Sequence, residues 1–284
     1  MMALAFERLS DHQFRSLATL SEDVYHCNLD RLPCSWQETP VELDCMYTVP
    51  QHTHTTLMIQ LATAKSSLKW DLQIHLQPHS QLTIQWIDEQ KSMQSLNLTT
   101  HFHVGEKACV KSFMVLNPHA SRVICEHYML KKQSSLEIFA LVFQTQDVLL
   151  HYSPAVLHQE KETHTDIKVR TLLAGNSDTA LCGRLTLLPQ ASASAHYQNH
   201  NLIIGGSPKL LAQPELEIAF DQVQCTHGVT LGRLDLQALF YMQSRGLSSS
   251  EAKTLLMRSF MLKETHPLLT HYTFFIDTLL NKLF

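Results

Sequence analysis

The sequence predicts a mainly β fold, a β-solenoid, followed by a C-terminal helical subdomain. From about residue 55 to residue 230, apolar and polar positions alternate in strand-like pieces, and no helical stretch interrupts them. Four turn-and-strand segments resemble one another, and the first three lie about 27 residues apart: QPHSQLTIQ, VGEKACVKS, KKQSSLEIF and AGNSDTALC. The last fifth of the chain changes to helical spacing. Repeats of this length without helices are typical of a β-solenoid, in which each coil stacks on the next. A jelly roll or a cupin barrel would have a similar strand content and stays open at this point.

Periodicity divides the chain into three regions: a helical lead-in segment over 1–44, a β core over 45–232 and a helical subdomain over 233–284. Apolar residues at roughly helical spacing predict one short helix, or two broken ones, within residues 3–22. In the last region, an apolar stripe before Gly246 predicts a first helix. The capping-box pattern from Ser248 to Glu251 predicts a second. A third, over 268–284, has an apolar stripe that must cover the β core or meet a partner.

Composition excludes several classes of function. Charged residues make up only 17% of the chain, and the 22 basic residues are scattered and outnumbered by 26 acidic ones, which argues against a nucleic-acid surface. No glycine-rich phosphate loop is present, so any ATP must be bound by another chain. The seven cysteines form no C-x-x-C pair, which favours reduced thiols and a cytoplasmic location. Neither a secretory signal nor a transmembrane run is expected.

Two H-x-H pairs are candidate metal ligands, His52 with His54 and His101 with His103. Alternate residues of a strand face the same side, so each pair could chelate a metal ion. This pattern supports an alternative function, a metal-dependent cupin-like β-barrel enzyme that uses the paired ligands. Chance pairs are nevertheless expected in a chain with 18 histidines. A carbohydrate-active β-helix would need paired carboxylates along a groove, and the acidic residues do not cluster in that way.

The stretch QVQCTHGVTLGRLD, residues 222–235, places Cys225 and His227 on one face of a predicted strand. Two donors cannot complete a zinc or iron site. The thiol and the imidazole therefore either pack inside the fold or face a second subunit that supplies the remaining ligands. The residues alone leave both interpretations open.

Residues 166–262 resemble the C-terminal half of SufD-type members of the SufB/SufD family of iron–sulfur cluster assembly proteins. The motifs that carry the resemblance are P-x-L-E-I, V-x-C-T-H-G and the run L-D-x-x-x-L-F-Y-x-x-S-R-G with the helix after it. SufB-type sequences read roughly E-H-E-A-T where this chain has its C-T-H-G motif, so the match is to the SufD type. The resemblance implies a right-handed parallel β-helix with a C-terminal helical subdomain, preceded here by a short N-terminal helical stub.

The same resemblance implies a function: a non-ATPase scaffold subunit of the SufBCD complex, not an enzyme, on which iron–sulfur clusters are built. It implies pairing with a SufB-like subunit through the β-helix and with the SufC-like ATPase through the C-terminal helices, with a homodimer left open. His227 and, secondarily, Cys225 are the cluster or metal candidates at the SufB interface. No cofactor is expected to bind tightly to the chain alone, and the nascent cluster would be shared with SufB. The candidates for binding the ATPase are Leu236, Leu239, Phe240, Tyr241, Arg245, Leu255 and Phe260.

Overall fold

The computed structural model describes residues 5–9, 18–21, 24–28, 41–61, 67–88, 94–219, 223–263, 273–281 and 283. Three helices lie near the C-terminus, namely α1 (Leu236–Ser244), α2 (Ser249–Met261) and α3 (Thr273–Asn281). The strands are β1 (Ala5–Leu9), β2 (Ala18–Ser21), β3 (Val24–Asn28), β4 (Val41–Val49), β5 (His54–Gln60), β6 (Leu68–Leu76), β7 (Gln81–Ile87), β8 (Leu96–Val104), β9 (Cys109–Leu116), β10 (Arg122–Leu130), β11 (Ser135–Gln144), β12 (Leu149–His158), β13 (Thr163–Leu173), β14 (Asp178–Leu181), β15 (Arg184–Leu187), β16 (Ala193–Ile203), β17 (Lys209–Ala212), β18 (Glu215–Ile218) and β19 (Gln224–Arg233).

The strands form two sheets, and the chain passes from one to the other at each half-coil. Sheet A has the order β1-β4-β6-β8-β10-β12-β14-β17, with β15 joining β12 to β18. Sheet B has the order β19-β16-β13-β11-β9-β7-β5-β3-β2. All described pairs are parallel except β2 with β3. This topology fits the predicted right-handed parallel β-helix and rules out an antiparallel jelly roll or cupin barrel for the described core.

One corner of the solenoid turns through a non-glycine residue with positive φ in five successive coils. These residues lie 27, 28, 26 and 29 residues apart, which confirms the repeat seen in the sequence: His52, His79, Lys107, Gln133 and Glu162. The backbone N–H of one such residue donates to the carbonyl that precedes the next, as from His79 to Glu106 at 2.9 Å and from Lys107 to Lys132 at 2.9 Å. We call this file of stacked turns the corner ladder. Its hydrogen bonds fix the register of each coil relative to the next.

The core lies between the two sheets. Strand β6 alternates buried and partly exposed residues along its length, as a strand with one face inside must. Side chains from successive coils stack on one another, for example Phe102 on Tyr128 with ring centroids 4.4 Å apart. The buried indole of Trp86 donates to Ser112 Oγ at 3.2 Å. Each coil thus buries its inner face only when a neighbouring coil covers it.

Sheet B is also covered on its outer face, by α2 and α3. An apolar cluster joins residues of β9, β11 and β13 to Met257 and Met261 of α2 and to Ile276 of α3. For this reason the second half of β11 is buried at every position, like a strand of a parallel sheet covered on both sides. None of the described helices is long and apolar enough to cross a bilayer.

The buried polar side chains include an ion pair and a carboxyl group. Arg122 and Asp88 form a bidentate ion pair with both nitrogen–oxygen distances at 3.1 Å, and each side chain is 1% exposed. Glu126 points into the space between the sheets and accepts hydrogen bonds from Tyr128 at 3.0 Å and Tyr152 at 2.7 Å. Burial raises the pKa of Glu126 to about 7, against the smaller lowering effect of the two tyrosine hydrogen bonds. This carboxyl therefore carries its proton at a pH where an exposed glutamate has lost it.

The N-terminal region differs from its prediction. The described residues within 3–22 form strands β1 and β2, whereas the sequence predicted helix. Strand β1 pairs in parallel with β4, Ala5 opposite Val41, and β3 pairs with β5. The edges of β4 and β5 supply hydrogen-bond partners that are distant in sequence, and tertiary pairing of this kind overrides local periodicity. Strand β3 and the first residues of β4 also fall within the predicted lead-in of residues 1–44, and its remaining residues lie outside the described part of the chain.

Candidate functional site

The C-T-H-G motif lies on β19, the last strand of sheet B. Strand β19 pairs with β16 on one side, with Cys225 opposite Ala195 and His227 opposite Tyr197. No described strand pairs with its other edge. Strands β17 and β18 end sheet A at the same end of the solenoid. We call the surface formed by β17, β18 and β19 the open end.

Cys225 and His227 share the face that continues the interior of the solenoid, because both partner residues on β16 are buried. Cys225 is half-buried and packs against the core, whereas His227 is exposed. Burial raises the pKa of the Cys225 thiol, and a backbone hydrogen bond with Ala195 lowers it by less. Binding of a metal by this thiol must therefore release a proton at neutral pH. A Cβ added at Gly228 would meet nothing within 4 Å, so the strand is open to an approaching chain.

The open end is apolar as well as unpaired. The large side chains exposed there include Leu231, with 56% of its surface exposed, together with Leu211, Ile218 and Val229. A long strand edge with apolar side chains is a template for pairing with another chain. The two donors of the C-T-H-G motif thus lie on a surface that is suited to a protein interface.

Helix α1 follows β19 directly and presents a second apolar surface. Asp235 caps it by accepting from the backbone N–H of Gln237 at 2.8 Å. No residue of α1 is buried, and Leu236, Phe240 and Tyr241 are each exposed over more than half of their surface. Burial of this helix face requires a partner.

The residues predicted to bind an ATPase differ in their solvent exposure. Leu255 and Arg245 are exposed, and the Arg245 guanidinium lies 5.3 Å from the ring centroid of Tyr241. Leu239 is half-buried. Phe260 packs on the outer face of sheet B, where its carbonyl accepts from Arg170 at 3.0 Å. Phe260 therefore anchors α2 to the solenoid instead of facing outward. The face that α2 buries consists of Ala252, Met257 and Met261.

The structure does not bring the two H-x-H pairs together at one site. His52 lies in a turn and stacks on His79 with centroids 5.0 Å apart, and His54 opens β5 of sheet B. His101 and His103 lie on β8 of sheet A. The cupin-like alternative is therefore not supported. Among the His, Cys, Asp and Glu side chains that the structure describes, no three are placed to hold a metal ion as they stand.

The sequence interpretation did not identify two histidines that flank the second pair. His127 of β10 stacks on His101, and His75 of β6 stacks on His103. The turn repeat in the sequence could have identified these two histidines. A spacing of 26 to 28 residues places the four histidines in neighbouring coils: His75, His101, His103 and His127.

Comparison with known proteins agrees with this architecture. A family model described as the SUF system FeS cluster assembly, SufBD core domain, matches residues 43–260. A SufBD family iron–sulfur cluster assembly protein of Synechocystis is 30% identical over 142 residues, which cover 39% of this chain and 31% of the relative. The iron–sulfur cluster assembly protein SufD of Escherichia coli K12 is 37% identical over 70 residues, 25% of this chain and 16% of the relative. A SufBD family protein of Mycobacterium leprae is 26% identical over 192 residues, 64% of this chain and 49% of the relative.

The matched region includes nearly the whole described solenoid, the C-T-H-G motif, α1 and most of α2. The chain spans about half or less of the length of these three curated relatives. Since the family model matches more than half of the chain and the fold is a parallel β-solenoid with C-terminal helices, the protein belongs to the SufBD core family of iron–sulfur cluster assembly proteins.

Proposed function

We propose that this chain is a non-ATPase scaffold subunit of a SufBCD-type complex, on which iron–sulfur clusters are assembled. The observation that carries the proposal is the position of the C-T-H-G motif on the last strand of sheet B, whose outer edge pairs with no described strand. Family membership and the SufD-type form of the motif support the same role. The role is one of binding and positioning, without catalysis by this chain, in the cytoplasm, where thiols stay reduced.

The proposed partner at the open end is a SufB-like subunit. Strand β19 is ten residues long, no described strand pairs with its outer edge, and the exposed Val229 and Leu231 lie along it. A strand from the partner that added to this edge would satisfy its backbone groups and cover these side chains. A second copy of this chain is the competing occupant, since an edge strand can also pair with itself.

The proposed cluster ligands are His227 and, secondarily, Cys225. Imidazole and thiolate both bind iron, but two donors leave the coordination incomplete. A nascent cluster would therefore be held only when the partner subunit supplies the remaining ligands. His227 is the stronger candidate because it is exposed, whereas Cys225 is half-buried with a raised pKa.

The proposed ATPase partner binds α1. This helix has an exposed apolar surface that a partner protein would bury. The surface consists of Leu236, Phe240 and Tyr241. The chain has no phosphate-binding loop of its own, so the SufC-like subunit would hold the nucleotide.

The first test is co-expression with the SufB-like and SufC-like subunits of the same organism, followed by size exclusion and measurement of subunit stoichiometry. A stable heteromeric complex is the expected result. A homodimer or a lone monomer in the presence of both partners would contradict the proposal.

Variants then test each interface separately. Leu231→Lys should abolish pairing with the SufB-like subunit, because lysine on a strand edge opposes strand addition. Leu149→Lys is the matched control, since Leu149 is also an exposed leucine but lies on β12, away from the open end. Phe240→Ser should abolish ATPase binding alone. Truncation after Leu231 should also abolish ATPase binding. Because it would expose the apolar face of sheet B as well, Phe240→Ser is the more specific test.

The ligand assignment is tested in the assembled complex. His227→Ala should preserve the complex and lower cluster formation, because the side chain is exposed and contributes little to the fold. The matched control is His164→Ala, which removes another exposed histidine of sheet B. Full cluster formation by the His227 variant would remove this residue from the site.

A further inference from the structure

The outer face of sheet A carries four histidines on three adjacent strands, which we call the histidine patch: His75 of β6, His101 and His103 of β8, and His127 of β10. In the strand register, His75 lies opposite His103, and His101 lies opposite His127. All four occupy the less buried positions of their strands, so they share the face that points away from the core. The C-T-H-G motif is on the other sheet.

The four rings form two stacked pairs. The rings of His75 and His103 have centroids 4.3 Å apart and planes within 4°, and those of His101 and His127 are 4.9 Å apart and within 11°. A neutral imidazole keeps a lone pair on one nitrogen, which is the form that binds metal ions.

The spacing of three of these positions suits a single ion. Alternate residues of a strand lie roughly 7 Å apart and neighbouring strands roughly 5 Å apart. The Cα atoms of His101, His103 and His127 thus form a triangle with sides of roughly 5, 7 and 8 Å. In the present rotamers the His101 and His127 rings stack within 11° of parallel, and no three of the described side chains converge on one point. Binding of one ion by all three rings would therefore require rotation about the side-chain torsions of these partly exposed residues.

Two further features favour a bound ion. Asp71 Oδ2 lies 3.9 Å from His101 Nε2, beyond hydrogen-bond length, so a small shift of the ring would let the carboxylate accept from Nε2 and leave Nδ1 for a metal, as outer carboxylates do at metal-binding histidines. The patch also borders open space. His75 and His103 line a cavity of about 800 Å³, and His101 and His127 line a second one of about 270 Å³. A hydrated ion has room to enter.

We propose that the histidine patch binds one divalent transition-metal ion that prefers imidazole, such as Zn²⁺ or Ni²⁺. His101, His103 and His127 are the ligands, and water completes the coordination, as at open zinc sites with three protein ligands. Asp71 positions His101, and His75 packs against His103. The proposal is independent of the partners proposed above, because every residue that it uses lies on sheet A of this chain.

The test is titration of the full, untagged chain with Zn²⁺ in competition with a chromophoric chelator. One ion per chain is the expected result. The double variant His101→Gln/His103→Gln should lower the affinity by more than about 100-fold, because loss of an outer partner alone costs about 10- to 100-fold. Asp71→Asn should weaken binding about tenfold with the stoichiometry kept. Circular dichroism checks the fold, and His127→Gln gives the same test if the double variant does not fold.

The matched control is His52→Asn/His79→Asn. It removes another stacked pair, at two positions whose positive φ asparagine tolerates. This control should keep the wild-type affinity. Equal Zn²⁺ binding by the wild type and the His101→Gln/His103→Gln variant would overturn the proposal. So would loss of the ion in the control, since the turn histidines would then be the ligands.

Discussion

Replacement of the buried Glu126 by glutamine should change how the stability of this protein depends on pH. The carboxyl is buried between the sheets and accepts from Tyr128 and Tyr152, whose own pKa values are raised well above 10 by burial. Both tyrosines therefore remain hydrogen-bond donors throughout the working range of pH. Glutamine has the same shape and no proton to lose; its oxygen accepts from one tyrosine, and its NH2 group can donate to the hydroxyl oxygen of the other.

The size of the expected change in unfolding free energy follows from the pKa of Glu126. Glu126 has a pKa of about 7 in the folded chain, against 4.5 when exposed, and a tenfold change in proton affinity is worth about 1.4 kcal/mol. Between these two values the folded chain binds the proton and the unfolded chain does not. Stability therefore falls as the pH rises, by about 3 kcal/mol in total, and levels off above the folded pKa. Below pH 4.5 this contribution is fully present.

The assay is urea unfolding of the wild type and Glu126→Gln from pH 4.5 to pH 8, followed by circular dichroism and by the fluorescence of the buried tryptophans. The wild type should lose about 3 kcal/mol relative to the variant across this range. Glu106→Gln, an exposed substitution on a turn, is the control and should follow the wild type. Parallel curves for the wild type and Glu126→Gln would refute the reasoning, because they would show that the buried carboxyl does not titrate differently on folding.

Three further predictions concern stability and assembly. Arg122→Met should destabilise the chain by about 3–5 kcal/mol in urea unfolding, because it leaves the Asp88 carboxylate buried and unpaired, and Asp88→Asn in the same chain should recover part of the loss. Ser248→Ala should cost about 1 kcal/mol, since it removes the capping box of α2, and an unchanged midpoint would contradict this role. Leu231→Lys should lower any concentration-dependent self-association of the isolated chain in sedimentation experiments, while Leu149→Lys should leave it unchanged.

The turn repeat together with the family resemblance predicted the solenoid, and local patterns predicted the helices after it. Alternation identified strands such as β6 and β10, and the spacing of the turns identified the coil. The capping box at Ser248 and Glu251 and the positive φ of Gly246 are present where local chemistry placed them. These features depend on residues close together in the chain, which a sequence displays directly.

Features that depend on long-range pairing were not predictable in the same way. The described parts of the N-terminal segment are strands because β4 and β5 offer them edges. Helix α2 buries Met257 and Met261 and packs Phe260, a predicted ATPase contact, against sheet B, because the position of the apolar patch on that sheet decides which stripe faces inward. Both outcomes depend on tertiary contacts.

The buried Glu126 is an intermediate case. It has the same strand parity as Ile124 and Tyr128, both buried, so alternation placed a carboxyl inside. Its tyrosine partner on β12 required the strand register. The histidine patch likewise needed the register between β6, β8 and β10, whereas the C-T-H-G motif was visible as a motif.

The corner ladder makes the length of this protein adjustable in whole coils. Each positive-φ residue occupies the same place in its coil as the one before, so joining residue 78 to residue 107 would remove one coil and leave every later turn in phase. Each coil adds about 4.8 Å along the solenoid axis. The number of coils therefore determines the length of the solenoid. It sets how far the edge strand β19 lies from the N-terminal end, without any change to the residues at either end.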